Sequence, residues 1–320
     1  LEQQNVIIEP FRYPNKIFNG LQWLVSWPKW DRLVEADVFF VPNPRLLPLS
    51  AGVPMVVVAH DLSFELFPEF LTFRRKLWHK IMRPAHIMHR TRRVIAVSEH
   101  TKRDLVRLYR IPDSKIQVMY SGIADYMRPV PDADKERVRM AYQLPARYIL
   151  FLGAHEPRKN IPGLIEAFGQ VASRLPHGLV IAGEAGWYEE VIQEAIHKSG
   201  VAERIFLIGK VGEEDKAAMY SGADVFVYPS FYEGFGFPPL EALACGTPII
   251  TSFNASLPEI VGRWAHLIDP YDISQMAAVI QEVLEGKERV MPQTSQEVIA
   301  AYNWHMTAAK VANILEKAGL

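Results

Sequence analysis

The 320-residue chain has a single cysteine, Cys245. One thiol excludes an intramolecular disulfide framework and any zinc site built on several cysteines, and it fits a reducing compartment. A surplus of charge of one sign is also lacking: 35 Lys and Arg stand against 36 Asp and Glu, for a net charge of −1. A dedicated nucleic-acid binder carries a basic excess, so no nucleic-acid partner is expected. No apolar run approaches the roughly 20 residues of a membrane span. Residues 1–20 lack the basic start and apolar middle of a signal peptide, so a cytoplasmic location is expected. What is present is a globular mix, 49% hydrophobic and 22% charged, and not a disordered one. At roughly 150 residues per domain the length suggests two domains, with a core that needs neither disulfides nor metals.

Short apolar runs alternate with longer amphipathic stretches. Strands are predicted at Val6–Ile8, Val38–Val41, Met55–Ala59, Val94–Val97 and Ile116–Met119. The second half predicts Tyr148–Leu152, Leu179–Ala182, Ile205–Ile208, Val225–Tyr228, Pro248–Thr251 and His266–Ile268. Many of these runs are continuously apolar, as parallel strands buried on both faces are. Helical patterns separate them (Leu164, Phe168, Val171 and Leu175 share one face), which gives an α/β class. The halves also echo each other. Ala36-Asp37-Val38-Phe39-Phe40-Val41-Pro42 resembles Ala223-Asp224-Val225-Phe226-Val227-Tyr228-Pro229, and each is followed by Gly-x-Pro and a strand, at Gly52 and Gly246. Two Rossmann-like units in tandem explain this. The expected division is a first domain over 1–128, a Pro- and charge-rich linker over 129–146, a second domain over 147–303 and a closing helix over 304–320.

The densest block runs from Tyr228 to Pro248. A buried strand ends at Pro229, a loop with Gly234 and Gly236 follows, Pro238 and Pro239 suit the first turn of a helix, and Gly246 ends it. A Gly-containing loop feeding a helix start exposes N–H groups and a positive dipole end, which can bind phosphate. Glu233 precedes the turn and Glu241 lies within the helix. The block resembles the Glu-x7-Glu motif of the retaining glycosyltransferases of family 4, which have the GT-B fold: two Rossmann-like domains facing across a cleft. The resemblance continues through Ser252 and Leu257-Pro258-Glu259-Ile260-Val261-Gly262. It implies that Glu233 contacts the donor sugar, that Glu241 binds the ribose, and that the backbone of Phe235, Gly236 and Phe237 holds the diphosphate and sugar.

Two further segments carry the same resemblance. In Phe151-Leu-Gly-Ala-His-Glu-Pro-Arg-Lys-Asn160, Arg158 and Lys159 stand at a strand's end where two phosphates are neutralised, and Asn160 is placed to cap the next helix. Many family members read Gly-Arg where this chain has Gly153-Ala154. In Val56-Val-Val-Ala-His-Asp-Leu-Ser63, the resemblance brings His60 to the donor sugar and the reacting centre. Ile95-Ala-Val-Ser-Glu-His-Thr-Lys102 is similar too, with Ser98 as a helix cap. Val201–Gly222 corresponds to the base-binding region, with Lys210 and Val211 near the base edge.

Other features read as structural. Asp132-x-Asp134 has the spacing of the metal-binding pair of GT-A transferases but lies in the linker, so no metal is assigned. Ser256-Leu-Pro-Glu259 has the form of a capping box. Cys245, among Ala and Leu, belongs to the core. Residues 70–98 contain no Asp or Glu, and the basic stretch 71–93 interleaves Arg74, Arg75, Lys76, Lys80, Arg83, Arg90, Arg92 and Arg93 with Phe73, Leu77, Trp78 and Ile81. It is either a peripheral membrane or lipid-diphosphate surface, or a solvated helix whose apolar face packs inward; Pro84 interrupts any long helix there.

The resemblance implies retaining, metal-independent transfer of a hexose from a nucleotide-diphosphate sugar to a glycan or polyprenyl-diphosphate-linked acceptor, without a cofactor. GDP-mannose is favoured as donor, with UDP- and dTDP-sugars as alternatives, and the setting expected is bacterial surface polysaccharide. The alternative is a sugar-nucleotide-binding protein with little or no transferase activity. It arises because family members open with a strand and a Gly-rich loop ahead of the region where this chain begins, so either the first domain is shortened or the sequence is incomplete at its N-terminus.

Overall fold

A computed structural model describes residues 27–44, 47–286 and 295–319. The strand predicted at Val6–Ile8 lies outside them. Among the described residues the first sheet has four strands, β1 (Phe39–Val41), β2 (Met55–Ala59), β3 (Arg93–Ala96) and β4 (Ile116–Val118), in that spatial order and all parallel. The second has six parallel strands: β5 (Tyr148–Leu152), β6 (Gly178–Ala182), β7 (Ile205–Gly209), β8 (Val225–Tyr228), β9 (Ile249–Ser252) and β10 (His266–Ile268). Their order is β10-β9-β8-β5-β6-β7. Every residue of β2, β5, β6, β8 and β9 is buried, which is why these runs show no polar alternation. Each of the other predicted strands falls on an observed one with its ends shifted by at most one residue.

The internal echo is structural. Phe39 pairs with Met55 and Phe226 with Ile249, so β1–β2 and β8–β9 share one register. Phe39 N donates to Pro54 O at 3.0 Å and Phe226 N to Pro248 O at 2.9 Å. The glycines that open the two Gly-x-Pro turns have φ of 85° and 83°, a region that favours glycine.

In the first domain, the short turn α1 (Ser63–Leu66) precedes α2 (Phe73–Met82), α3 (Pro84–Arg90) and α4 (Glu99–Tyr109). Arg83 takes a left-handed conformation (φ 47°) and Pro84 starts α3, so the chain breaks where proline predicts. No residue of α2 is buried: Phe73 is 79% exposed, and Leu77 and Trp78 are about half exposed. The inward-packing alternative for this helix therefore fails. Ser98 caps α4, its side chain accepting from Thr101 N at 3.0 Å.

The 129–146 segment carries a helix. It contains α5 (Asp132–Ala141), which buries Val138 and packs against α8 (Glu213–Gly222). Arg137 Nη2 and the Tyr142 hydroxyl donate to Asp215 at 2.8 and 2.9 Å. A single apolar residue inside a charged stretch is enough to seat this helix. Asp132 and Asp134 lie in its first turn, and Asp132 pairs with Lys135 at 2.9 Å.

Around the second sheet lie α6 (Ile161–Val171), α7 (Glu189–Lys198), α9 (Phe237–Ala244), α10 (Leu257–Ile260), α11 (Ile273–Leu284) and α12 (Ser295–Ala301). Leu164, Phe168, Val171 and Leu175 are all buried. The last helix, α13 (Trp304–Gly319), returns to the first domain, where Thr307 donates to Tyr120 O at 2.9 Å. One apolar core joins the second sheet to Val56, Val58, Ile95 and Val97 of the first, while Val57, Ala59, Val94 and Ala96 face a separate cluster. The alternation along β2 and β3 thus divides one sheet between two cores. No helix among the described residues is long and apolar enough to cross a membrane.

Replacing Phe226 by Ala in the central sheet should cost about 3–5 kcal/mol by the cavity it leaves. Replacing Met140 on α5, which is 67% exposed, should change stability by less than about 0.5 kcal/mol. Urea unfolding of both variants checks that contrast.

Candidate active site at the domain junction

The second sheet changes direction between β5 and β8, since β6 and β7 extend to one side and β9 and β10 to the other. In a parallel α/β sheet, ligands bind at the carboxyl ends of the strands flanking such a switch. The loops that leave these two ends, Gly153–Asn160 and Pro229–Gly236, carry Arg158, Lys159 and Glu233.

These three side chains meet directly. Glu233 is 6% exposed. Its Oε1 accepts from Lys159 Nζ at 2.5 Å and Ser230 Oγ at 2.7 Å, and its Oε2 accepts from Arg158 Nη1 at 2.7 Å. Lys159 also donates to the Tyr228 hydroxyl and lies 4.8 Å above that ring's centroid. Burial alone would raise the Glu233 carboxyl; the Lys159 and Arg158 charges overcome it and hold the group down to about 2. Burial pushes the Lys159 ammonium down against the pull of Glu233. Around the cluster, Arg158 Nε donates to Glu156 at 3.0 Å, and Arg75 of α2 reaches Glu156 at 3.4 Å. Arg158 also feels the charge of Asp61, so three cations, Arg75, Arg158 and Lys159, stand among three carboxylates.

The loop after β8 is held from every side. Phe231 N donates to Arg158 O at 2.8 Å, and Ser256 Oγ donates to Glu233 O and Phe235 O at 2.9 and 3.0 Å. From the first domain, Ser98 Oγ donates to Gly234 O at 2.7 Å. The Tyr232 hydroxyl donates to Asp104 at 2.7 Å. A Cβ on Gly234 would stand 1.8 Å from His60 O, so only glycine admits the first domain this close. Gly236, at φ 98°, turns the chain into α9, whose start has no side-chain cap. Of its first three residues only Phe237 has a backbone N–H, Pro238 and Pro239 having none, and no side chain caps it among the described residues.

Glu259 completes the junction. Its carboxylate accepts from Glu99 N at 2.7 Å and His100 N at 3.0 Å, the first amides of α4 in the other domain. The capping box expected at Ser256–Glu259 is therefore absent: Ser256 binds loop carbonyls and Glu259 caps a helix 160 residues away in sequence. Asn160 also differs from expectation. Its side chain makes no cap bond and donates to Pro270 O at 2.7 Å, because its backbone is left-handed (φ 54°) rather than extended.

The remaining predicted residues divide into two groups. His60 meets the loop through its backbone, while its exposed ring has Nε2 2.7 Å from Pro42 O. Phe235 is buried, with its ring 5.0 Å from that of Phe237. Glu241 lies in α9, accepts from the Tyr220 hydroxyl at 2.9 Å, and is raised by burial. It feels the charges of Lys216 and Glu213 in α8, the helix that Val211 precedes. Cys245 is buried and its thiol is pushed up to about 12 by burial, which fits packing rather than nucleophilic work. Two buried polar atoms at strand ends have no partner among the described residues: His155 Nε2 after β5 and Ser252 Oγ at the end of β9. Each such atom costs about 1–3 kcal/mol until something binds it. Sequence reading gave no signal for Asp104, Ser230 or Glu259 as site-building residues, because their partners are set by the tertiary fold. A cavity of about 670 Å³ bordered by Pro54, Met55 and Arg92 lies at the amino ends of β2 and β3, the opposite end of the sheet from this junction.

The folded Glu233 carboxyl lies below its ordinary value of 4.5, so its stabilisation is present above about pH 4.5 and is lost as pH falls towards 2. Glu233→Gln should flatten that part of the stability–pH curve and cost about 3–5 kcal/mol near neutrality, since it breaks a buried pair. Urea midpoints between pH 2 and 7 decide it. Glu259→Ala, which uncaps α4, should cost about 0.5–2 kcal/mol in the same assay.

Residues 132–304 match the family model of glycosyl transferases group 1, and residues 2–125 match that of glycosyltransferase family 4. The O-antigen chain mannosyltransferase B of Escherichia coli is 32% identical over 295 residues, 89% of this chain and 73% of that protein. D-inositol 3-phosphate glycosyltransferase 2 of Catenulispora acidiphila is 29% identical over 241 residues, covering 70% of this chain and 56% of that protein. Among solved structures, sucrose-phosphate synthase of Thermosynechococcus elongatus superposes with a TM-score of 0.75 at 22% identity, over 96% of this chain and 80% of that one. WaaG, a glycosyltransferase involved in lipopolysaccharide biosynthesis, gives 0.71 at 17% identity, over 89% and 80%. With the second half matched by the group 1 model and the first by the family 4 model, the chain belongs to the group 1 glycosyl transferases and has their GT-B fold.

Proposed function

We propose that the protein transfers a hexose, mannose by preference, from a nucleoside-diphosphate sugar to a glycan or lipid-linked acceptor, with retention at the anomeric carbon and without a metal. The observation that carries this reading is the pair Arg158 and Lys159, set by Glu233 at the switch point beside the uncapped start of α9. Two preplaced cations and a helix start stabilise charge on a departing diphosphate, which is where charge develops in this reaction. Mannose is favoured because O-antigen chain mannosyltransferase B and WbdA of Escherichia coli, at 32% and 28% identity, are mannosyltransferases. GDP-mannose is then the donor; UDP- and dTDP-sugars are the other candidates.

Glu233 is anionic at neutral pH, but both of its oxygens are taken by cations and Ser230. That makes it a holder of Arg158 and Lys159 and of the donor sugar, and a poor nucleophile. Retention then follows from attack on the leaving-group face. The acceptor oxygen bonds to the anomeric carbon, the bond to the diphosphate oxygen breaks, and the acceptor proton passes to the diphosphate. His60 lines the reacting centre, Glu241 holds the ribose, and the backbone near Val211 meets the base. On the first domain, α2 presents Phe73, Leu77 and Trp78 among Arg74, Arg75, Lys76 and Lys80. We assign it a peripheral contact with anionic lipid at the cytoplasmic face of the membrane, where lipid-linked acceptors reside.

Thermal unfolding with GDP, UDP and dTDP tests the donor site: a nucleotide at 100 times its dissociation constant should stabilise by about 2.7 kcal/mol. Lys159→Ala and Glu241→Ala should each weaken that nucleotide about tenfold or more, whereas Glu233→Ala should act mainly on turnover. No shift with any nucleotide contradicts the reading. Sedimentation with vesicles should show binding that depends on anionic lipid, and binding without that dependence would remove the membrane contact.

A further inference from the structure

The cavity of about 670 Å³ at the amino ends of β2 and β3 takes no part in the site described above. Its volume is that of a small-ligand site. One wall is the loop that leads into β2. That loop is tied down: Lys29 Nζ donates to Leu49 O at 3.1 Å, Trp30 N to Pro48 O at 3.0 Å, and Ser50 N to Asp31 at 2.8 Å. The other wall is α3 and the turn into β3. Arg83, His86, Ile87 and Arg90 border the cavity from there. They stand at i, i+3, i+4 and i+7, which is one face of a helix. Arg92 borders it too, with its backbone N bonded to Met55 O at 2.7 Å.

Charge and apolar surface are both present and kept apart. Leu49, Met55 and Ile87 are buried, whereas Arg83, His86, Arg90 and Arg92 are exposed. Among the described residues no Asp or Glu borders the cavity; Asp31 touches its lining only by holding the Ser50 amide. Among the same residues the guanidinium groups of Arg83, Arg90 and Arg92 have no hydrogen-bond or ion-pair partner. Arg75 and Arg158, by contrast, are engaged by carboxylates.

This lining selects its occupant. Like charges on one helix face repel, and an anion set among them removes the repulsion. A metal cation finds no carboxylate or thiolate to hold it. A neutral sugar or a plain hydrocarbon leaves the guanidinium groups unused. A phosphate ester offers several charged oxygens to more than one guanidinium fork at once, and its carbon chain gains from the apolar residues alongside. We propose that this cavity binds an alkyl phosphate ester, with the phosphate on Arg83, Arg90 and Arg92 and the chain against Leu49, Met55 and Ile87. The group has two sources, the head of a phospholipid or a soluble ester. Its site lies at the end of β2 opposite His60, so the occupant is neither donor nor acceptor of the transfer. The assignment stands apart from the transferase reading.

Titration calorimetry of the full chain with butyl phosphate, inorganic phosphate, butyrate and butanol tests it. Butyl phosphate should bind about tenfold more tightly than inorganic phosphate or butyrate, and butanol should not bind. Arg83→Gln, and separately the pair Arg90→Gln and Arg92→Gln, should each weaken butyl phosphate about tenfold or more. These side chains are exposed, and the melting temperature of each unliganded variant checks its folding. Lys159→Ala, which alters the Glu233 cluster, should leave the affinity unchanged. Sedimentation with phosphatidylcholine vesicles containing phosphatidylglycerol then separates the sources. Competition by butyl phosphate that disappears in the Arg90 and Arg92 pair variant identifies the lipid head group, and lack of competition identifies a soluble ester. Absence of butyl phosphate binding overturns the assignment, as does equal affinity for butyrate or an affinity indifferent to the three arginines. Binding lost in Lys159→Ala but kept in the arginine variants overturns it too, since the ester then sits at the Glu233 cluster. A nucleotide-induced melting shift, present or absent, bears on the donor reading alone.

Discussion

The site depends on burying Glu233 between Lys159 and Arg158. Each contact is a gross attraction of roughly 6 kcal/mol at an effective dielectric constant of about 20, against a desolvation penalty of several kcal/mol for every buried ion. The carboxylate has two such partners and comes out ahead, which is why it is held down to about 2. Lys159 has one partner and the like charge of Arg158 beside it, and its ammonium is pushed down instead. The asymmetry follows from position: among the described residues Lys159 is buried with Glu233 as its one direct carboxylate, whereas Arg158 also reaches Glu156. A dianionic ligand at this point relieves the repulsion between the two cations while it gains the start of α9. The same ion cluster ties the loop after β5 to the loop after β8, so the two halves of the switch point hold each other in place.

That loop is also where the two domains communicate. Gly234 lies against the His60 backbone, Ser98 and Thr101 donate to the Gly234 carbonyl, and Tyr232 reaches Asp104. From the other direction Glu259 of the second domain caps α4 of the first. All of these contacts except that of Gly234 with His60 converge on the start or first turns of α4. Relative motion of the domains must therefore act on the backbone between Tyr232 and Gly236, the segment that carries Glu233 and leads into α9. The geometry around Glu233 is thus set partly by residues of the first domain.

Much of this architecture was legible in the residues. Strands buried on both faces announce themselves as continuous apolar runs, and the Ala-Asp-Val and Gly-x-Pro echoes marked pairs of strands that share a register. The start of the Glu-x7-Glu block and Arg158-Lys159 lie in the loops after β8 and β5, the two strands that flank the switch in strand order. What stayed hidden was partnership across sequence distance. Arg158 and Lys159 read as phosphate contacts, and nothing local indicates that both grip Glu233 some 75 residues on. Ser256 and Glu259 had the spacing of a local cap, yet each found a better-placed partner in another segment. Asn160 could not act as an ordinary cap once its backbone turned left-handed. The 129–146 stretch concealed a helix because Val138 alone carries its buried face. A local pattern specifies an element; which elements end up in contact decides what its polar side chains bind.

The central claim is that this cluster was assembled for a diphosphate. Isothermal titration of GDP against GMP and of UDP against UMP tests it most directly. The account predicts that at least one nucleoside diphosphate binds about tenfold or more tightly than its monophosphate, as one added charge-assisted contact provides, and that the gap closes in Lys159→Ala. Equal affinity for diphosphate and monophosphate, or a gap that survives loss of Lys159, would contradict it.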